Sequence, residues 1–413
     1  MRVCFVVQRY GADVAGGAEA LCRRTAHALA ASGDQVLVHT TTARDYLTWA
    51  PHYQPGVEMD GGVQVVRHGV APPNPRLAAA AVRRLGIDPT NIGLENAWAK
   101  AQGPVSPGLL RALSSESGDH EAVVFWTYLY ATSQLGLPLV RDRSVLVPLA
   151  HPEPMLRFPL TRSLVRAART IAYMTPEEAQ LVQDLHGPTA GAVVGSGVDP
   201  APLGDAGRAR RRQQLPRRFA LYLGRVDASK GLPQLIRAHK GYRRGGGRLG
   251  LVLAGRRAGR MRLPRWAVAT GFLTEQERAD LLAAADVVVL PSPYESLSLV
   301  ALEAWAAGIP TLANMRSAVL AGQTARSGGG LLYDSERYVR QLTRLASDDD
   351  LRTMLSQRGR AFSAAQSWDE VARGWRRLLA SVRQPVGSDS SSSSVASMSI
   401  RRPSRQVPSG ARS

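Results

Sequence analysis

Arg2-Val-Cys-Phe-Val-Val7 is an apolar run long enough for one strand, and a glycine-rich loop from Gly11 to Gly17 follows it closely. Residues 18–31 then place Leu21, Cys22, Ala26, Leu29 and Ala30 at helical spacing. Gly33 stops that helix, and Gln35-Val-Leu-Val-His39 returns to a short apolar strand. Strand, helix and strand in this order make a βαβ unit, which implies a parallel sheet covered by helices on its faces. The predicted fold class is therefore α/β.

The same alternation recurs along the chain. Val63-Gln-Val-Val-Arg67, Ala122-Val-Val-Phe-Trp126, Ser144-Val-Leu-Val-Pro-Leu149 and Thr170-Ile-Ala-Tyr-Met174 read as strands, and Thr175-Pro-Glu-Glu178 as a capped helix start with proline at its first position. Residues 41–120 carry few other signals, only Pro, Gly and Asn clusters between weak helical patterns. A first domain is expected over residues 1–190 and a second over 191–368, with Gly195-Ser-Gly-Val-Asp-Pro-Ala-Pro202 as the link. In the second, Phe219–Leu223, residues 249–254 and 286–291, and Ile309–Ala313 read as strands. Thr274-Glu-Gln-Glu277 is a capping box, and the helix after Ser298 ends at Gly308. Ser367-Trp-Asp-Glu370 opens a last helix, 369–384, expected to pack back on the first domain; the serine- and arginine-rich residues 385–413 read as a disordered tail. Two doubly wound domains in tandem place a ligand at the carboxyl ends of their strands, in the cleft between them.

Composition narrows the function classes. With 413 residues and 44% hydrophobic content, each domain can bury its own core. The only two cysteines, Cys4 and Cys22, fall in apolar patterns and read as reduced core residues of a cytoplasmic protein. The chain opens on a strand without a signal peptide, and no apolar stretch reaches membrane-spanning length. The formal charge of +19 favours an anionic partner: phosphorylated small molecules, an acidic membrane surface reached peripherally, or nucleic acid. Only Lys100, Lys230 and Lys240 among 52 basic residues are lysines, which points to codon bias, and the arginine runs 208–212 and 256–260 lack interleaved aromatics. Nucleic acid is accordingly not expected. Asp348-Asp-Asp350 after Ser347 reads as an acidic helix start, not a metal site.

One residue resists a purely structural reading. In Pro291-Ser-Pro-Tyr-Glu-Ser-Leu-Ser-Leu-Val-Ala-Leu-Glu-Ala-Trp-Ala-Ala-Gly308, Glu303 lies on an apolar helix, on the face of Leu299, Val300, Ala306 and Ala307. Burying a lone carboxylate costs several kcal/mol unless a polar group meets it. Glu295 stands eight positions earlier, so both acids can point into one cleft.

This spacing resembles the Glu-x7-Glu motif of retaining glycosyltransferases of family 4, which have the GT-B fold. Three further stretches are similar to that family: Gly224-Arg225 with Lys230-Gly231, Gly16-Gly17-Ala-Glu19, and Val194-Gly-Ser-Gly-Val-Asp199. The resemblance implies two tandem Rossmann-like domains and a nucleotide diphosphate sugar as co-substrate, with no other cofactor and no metal. It also implies a sugar, lipid-linked or small-molecule acceptor. Glu303 would then accept hydrogen bonds from the ribose, Glu295 would contact the transferred sugar, and Arg225 and Lys230 would hold the diphosphate. Gly16 and Gly17 would let backbone N–H groups approach phosphate, Gly224 would open the Arg225 loop, and Ser296, Leu297, Ser298 and Leu299 would lie along the donor. His151 would sit near the reacting sugar. Two positions depart from the pattern: His151 precedes Pro152 instead of an aspartate, and Ser296-Leu297-Ser298 replaces Gly-Phe-Gly. Rival readings are a sugar-nucleotide epimerase, a dehydrogenase, disfavoured because the first loop lacks Gly-x-Gly-x-x-Gly, and a binding protein without turnover.

Overall fold

The computed structural model describes residues 1–14, 16–46, 48–85, 91–199, 203–257 and 261–383; the tail expected at 385–413 lies outside them. Eight strands build the first sheet: β1 (Arg2–Val6), β2 (Gln35–Thr41), β3 (Gly56–Asp60), β4 (Val63–His68), β5 (Ala122–Trp126), β6 (Ser144–Val147), β7 (Thr170–Tyr173) and β8 (Gly191–Val193). Their order is β3-β4-β2-β1-β5-β6-β7-β8, and every pair is parallel except β3 with β4. Those two form a hairpin closed by Gly61 and Gly62, both at positive φ, a turn only glycine makes without strain. Residues 41–120, weakly patterned in sequence, hold this hairpin and the helices Pro75–Leu85, Ile92–Gln102 and Pro107–Glu116.

The second sheet is wholly parallel. It contains β9 (Phe219–Leu223), β10 (Gly250–Ala254), β11 (Ala267–Gly271), β12 (Val287–Leu290), β13 (Thr311–Asn314) and β14 (Gly330–Tyr333), in the order β11-β10-β9-β12-β13-β14. β1 and β9 are the strands at which the order reverses, so the loops after them, carrying Gly16 and Arg225, open at the two topological switch points. Capping follows the sequence at Thr274, where Glu277 completes a capping box. At Ser367 only half of one forms: the serine hydroxyl accepts from the Glu370 N–H, while the Glu370 carboxylate turns to Arg373.

One boundary of the partition differs from the expected one. β8 pairs with β7, so the first sheet runs on to Val193, past residue 190. The last helix, Trp368–Val382, leaves the second half and packs Val371, Trp375, Leu378 and Leu379 into one core with Val3, Phe5 and Trp126 of the first. The chain thus crosses between the halves twice, and the crossings are tied together. The Val198 N–H donates to the Gln366 carbonyl at 2.8 Å, and the Trp368 indole donates to Asp199 at 2.7 Å.

Candidate active site

At the end of β9 the chain turns sharply through Gly224, φ 139, into Arg225 and a short helical turn at Ala228–Lys230. The Asp227 side chain caps that turn and also accepts from the Arg225 guanidinium, fixing the arginine's direction. Arg225 then reaches the first half, donating to the Tyr46 hydroxyl at 3.0 Å with its guanidinium 5.3 Å from the centre of the Tyr46 ring. Arg9 from the loop after β1 approaches the same ring at 5.5 Å. Five residues after Arg225, Lys230 donates to Glu295 at 3.1 Å. Gly231 follows at φ 76, and a Cβ there would stand 2.2 Å from the Pro291 carbonyl oxygen. Gly231→Ala is therefore expected to cost at least about 2 kcal/mol by urea denaturation, from left-handed strain and overlap with fixed backbone.

The loop after β12 carries Tyr294 and Glu295 toward the first half. Tyr294 lies against the His151 ring, centroids 5.7 Å apart. Burial, together with the nearby Lys230 charge, lowers the His151 pKa to about 4, so the imidazole is neutral at neutral pH. His151 follows Leu149, one of the non-glycine residues at positive φ (50°), at the carboxyl end of β6. Strain of this kind collects at functional sites. Two polar contacts hold the halves together beside this cluster: the Thr175 hydroxyl donates to the Ser296 carbonyl at 3.1 Å, and Arg326 pairs with Glu177 at 2.5 Å.

Other candidate residues have local duties. A Cβ on Gly16 would meet Glu19 Oε2 at 1.9 Å, and Glu19 accepts from Gln8 at 2.7 Å and Arg9 at 2.5 Å. Gly16 thus makes room for a buried carboxylate, whereas Gly17 has open space where a side chain would go. The Ser298 hydroxyl caps the helix Leu299–Ala306, and its N–H donates to Gln323 Oε1 at 3.1 Å. Leu297 and Leu299 pack against the core of the first half.

Glu303 has the partners its neighbours in sequence could not supply. Arg278 stands 3.2 Å away, and Arg24, from the first half, 3.8 Å. Burial pushes the Glu303 carboxyl up, against the pull of Arg278 and Arg24. It opens on a cavity of about 430 Å³ lined also by Asp199, Glu275 and Arg360; His151, Arg225, Lys230 and Glu295 do not line this cavity. The structure thus gathers His151, Tyr294, Glu295, Lys230 and Arg225 around one cleft and sets Glu303 in a separate pocket. Tyr46, Arg24 and Arg278 had no signal in the sequence, since each acts through a contact with a distant segment. Among the described residues no group of three or more His, Cys, Asp or Glu could hold a metal ion, and no helix is long and apolar enough to cross a membrane.

A family model described as glycosyl transferases group 1 matches residues 207–362, the stretch that carries Arg225, Lys230, Glu295 and Glu303. The D-inositol 3-phosphate glycosyltransferase of Salinispora arenicola is 30% identical over 331 residues, covering 69% of this chain and 74% of that protein. The chain belongs to the group 1 glycosyl transferases. The protein of the same name from Nocardiopsis dassonvillei is 28% identical over 91% of this glycosyltransferase and 93% of its own length. Among solved structures, sucrose-phosphate synthase from Thermosynechococcus elongatus superposes with a TM-score of 0.68 at 20% identity, covering 92% of this chain and 99% of that one. An α,α-trehalose-phosphate synthase (UDP-forming) from Burkholderia xenovorans, in complex with glucose-6-phosphate, gives 0.66 at 16% identity, covering 92% and 100%. This glycosyltransferase has the GT-B fold, two parallel-sheet Rossmann-like halves facing a cleft.

Proposed function

We propose that this glycosyltransferase moves a sugar from a nucleoside diphosphate sugar to a hydroxyl of a phosphorylated small-molecule acceptor, with retention at the anomeric carbon and without a resident metal. The observation that carries this reading is the Lys230–Glu295 pair at 3.1 Å, with Arg225 in the same loop at a switch point and His151 across the cleft. Lys230 and Arg225 neutralise the diphosphate as it leaves, the contribution a metal ion makes elsewhere. Lys230 also orients Glu295, whose free acceptor capacity suits the hydroxyls of the transferred sugar. The neutral His151 can share a hydrogen bond with that sugar without adding charge. As the glycosidic bond lengthens, positive charge grows on the anomeric carbon, to which the acceptor oxygen bonds, and negative charge on the departing phosphate, which can take the acceptor's proton. The names of the relatives, glycosyltransferases of inositol 3-phosphate, and the sugar-phosphate products in the names of the structural neighbours support a phosphorylated acceptor. The net charge of +19 agrees with it.

The test is calorimetric binding of uridine, guanosine and adenosine diphosphate sugars without added metal, to the wild type and to Glu303→Ala. One donor is expected to bind, and the variant to weaken it about tenfold to a hundredfold, the value of one charge-assisted hydrogen bond to ribose. Binding that needs a divalent ion would overturn metal independence. Unchanged binding by Glu303→Ala would leave Glu303 as an ion-pair strut between Arg24 and Arg278.

A further inference from the structure

Glu178 is a carboxyl side chain with no access to solvent, in the first turn of the helix Pro176–His186, and the chemistry above makes no use of it. Its two oxygens face backbone just past the ends of two neighbouring strands, β6 and β7. Oε1 accepts the Ala150 N–H at 2.6 Å, and Oε2 accepts the Met174 N–H at 2.7 Å. Burial raises its pKa to about 8 although these backbone N–H donors pull the other way, so the carboxyl is largely neutral at neutral pH. Ala150 is the residue between Leu149, at φ 50, and His151. Met174 immediately precedes Thr175, whose hydroxyl both accepts the Glu178 N–H at 3.2 Å and donates to the Ser296 carbonyl across the cleft. One side chain therefore holds the peptide that sets His151 against Tyr294 and the peptide that sets Thr175 against Ser296. Tyr294 and Ser296 flank Glu295.

We propose that Glu178 is a positioning residue for sugar transfer, holding the His151 loop and the Thr175 bridge in register with the Tyr294–Ser296 loop of the second half. The proposal rests on the functional reading above. An apolar residue would fill the same volume without meeting these N–H groups, and a fully buried carboxyl group with no task beyond capping its own helix would be an expensive choice. Two short bonds to backbone just past β6 and β7 account for the buried carboxyl group: they fix a strained turn that apolar packing alone would let relax.

Glu178→Gln tests this, because its amide keeps the volume but puts an NH2 against one of the two N–H donors. The variant is expected to lose about 10- to 100-fold in kcat, with donor affinity by calorimetry changed less than about threefold, a split that general loss of structure does not produce. On a His151→Ala background the same substitution should cost less than half as much on the logarithmic scale, since its effect runs through His151. Full additivity, or an unchanged kcat in Glu178→Gln, overturns the proposal. The His151 ring resonances give a readout that needs no turnover. Glu178→Gln should move them while amide resonances of the second sheet stay in place, and an unmoved ring overturns the positioning whether or not the chain transfers sugar.

Discussion

Lys230→Ala is expected to lower kcat by about 100- to 1000-fold, the loss seen when one preorganised group facing developing negative charge is removed. Lys230 is half-buried beside the cleft and its ammonium has one acceptor, Glu295 at 3.1 Å, so removing it takes no atom from either hydrophobic core. Two effects of the substitution act in the same direction. The leaving diphosphate loses a cation that Arg225 cannot replace, because Arg225 is already held by Asp227, Ser229 and Tyr46. Glu295 loses its orienting partner and becomes a second anion facing the diphosphate. Donor KM should rise much less than kcat falls, since the charge neutralised by Lys230 is largest in the transition state. Lys230→Arg is expected to recover only part of the rate: a planar fork does not reproduce a compact ammonium between a carboxylate and a phosphate. Steady-state kinetics on folded variants decide the matter, and a loss below about fivefold would remove Lys230 from the chemistry.

Trp375→Ala is expected to destabilise the protein by about 3–5 kcal/mol, read as a lower midpoint of denaturant unfolding. Trp375 lies near the chain's end yet is fully buried in the middle of the first core, its ring 6.1 Å from Phe5 and 6.0 Å from Trp126. The cavity left by alanine would be lined by the helix Gly17–Ala31 and by β1 and β5, whose parallel pairing keeps them from closing over it. Trp375→Phe should cost much less, about 1–2 kcal/mol, because the Trp375 indole N–H is buried without a partner and phenylalanine removes that unmet donor along with part of the volume. Similar losses in both variants would show that the indole is held by more than packing. Because this helix enters the first core while the rest of the second half stays outside it, the substitution also weakens one of the two crossings that set the halves against each other.

Much of this architecture is legible in the sequence because it is local. The β1 run, the glycine-rich loop, the helix through Leu21 and Leu29 and the return at Gln35 each depend on residues within a few positions, and the caps at Thr175, Thr274 and Ser298 stand where side-chain chemistry puts them. The Asp60-Gly61-Gly62-Val63 hairpin was equally local, and its glycine pair is a turn signal that can be read directly. Gly224–Gly231 and Glu295 fall in strand-to-helix loops, as a doubly wound fold requires, and Glu303 on the helix that follows the second of them.

Local patterning therefore sets the alternation of elements, the two sheets and the loops that carry the chemistry. What those loops face depends on contacts between distant segments. The seemingly solitary Glu303 lies between Arg278 and Arg24, Arg225 finds Tyr46, His151 finds Tyr294, and Gly16 yields its space to Glu19. Periodicity and capping are properties of a few consecutive residues, whereas an ion pair or ring contact across the cleft depends on how two separately wound sheets are set against each other. That setting comes from the crossings at Asp199 and Trp368 and from a last helix buried in the first core, contacts between segments that no local pattern relates.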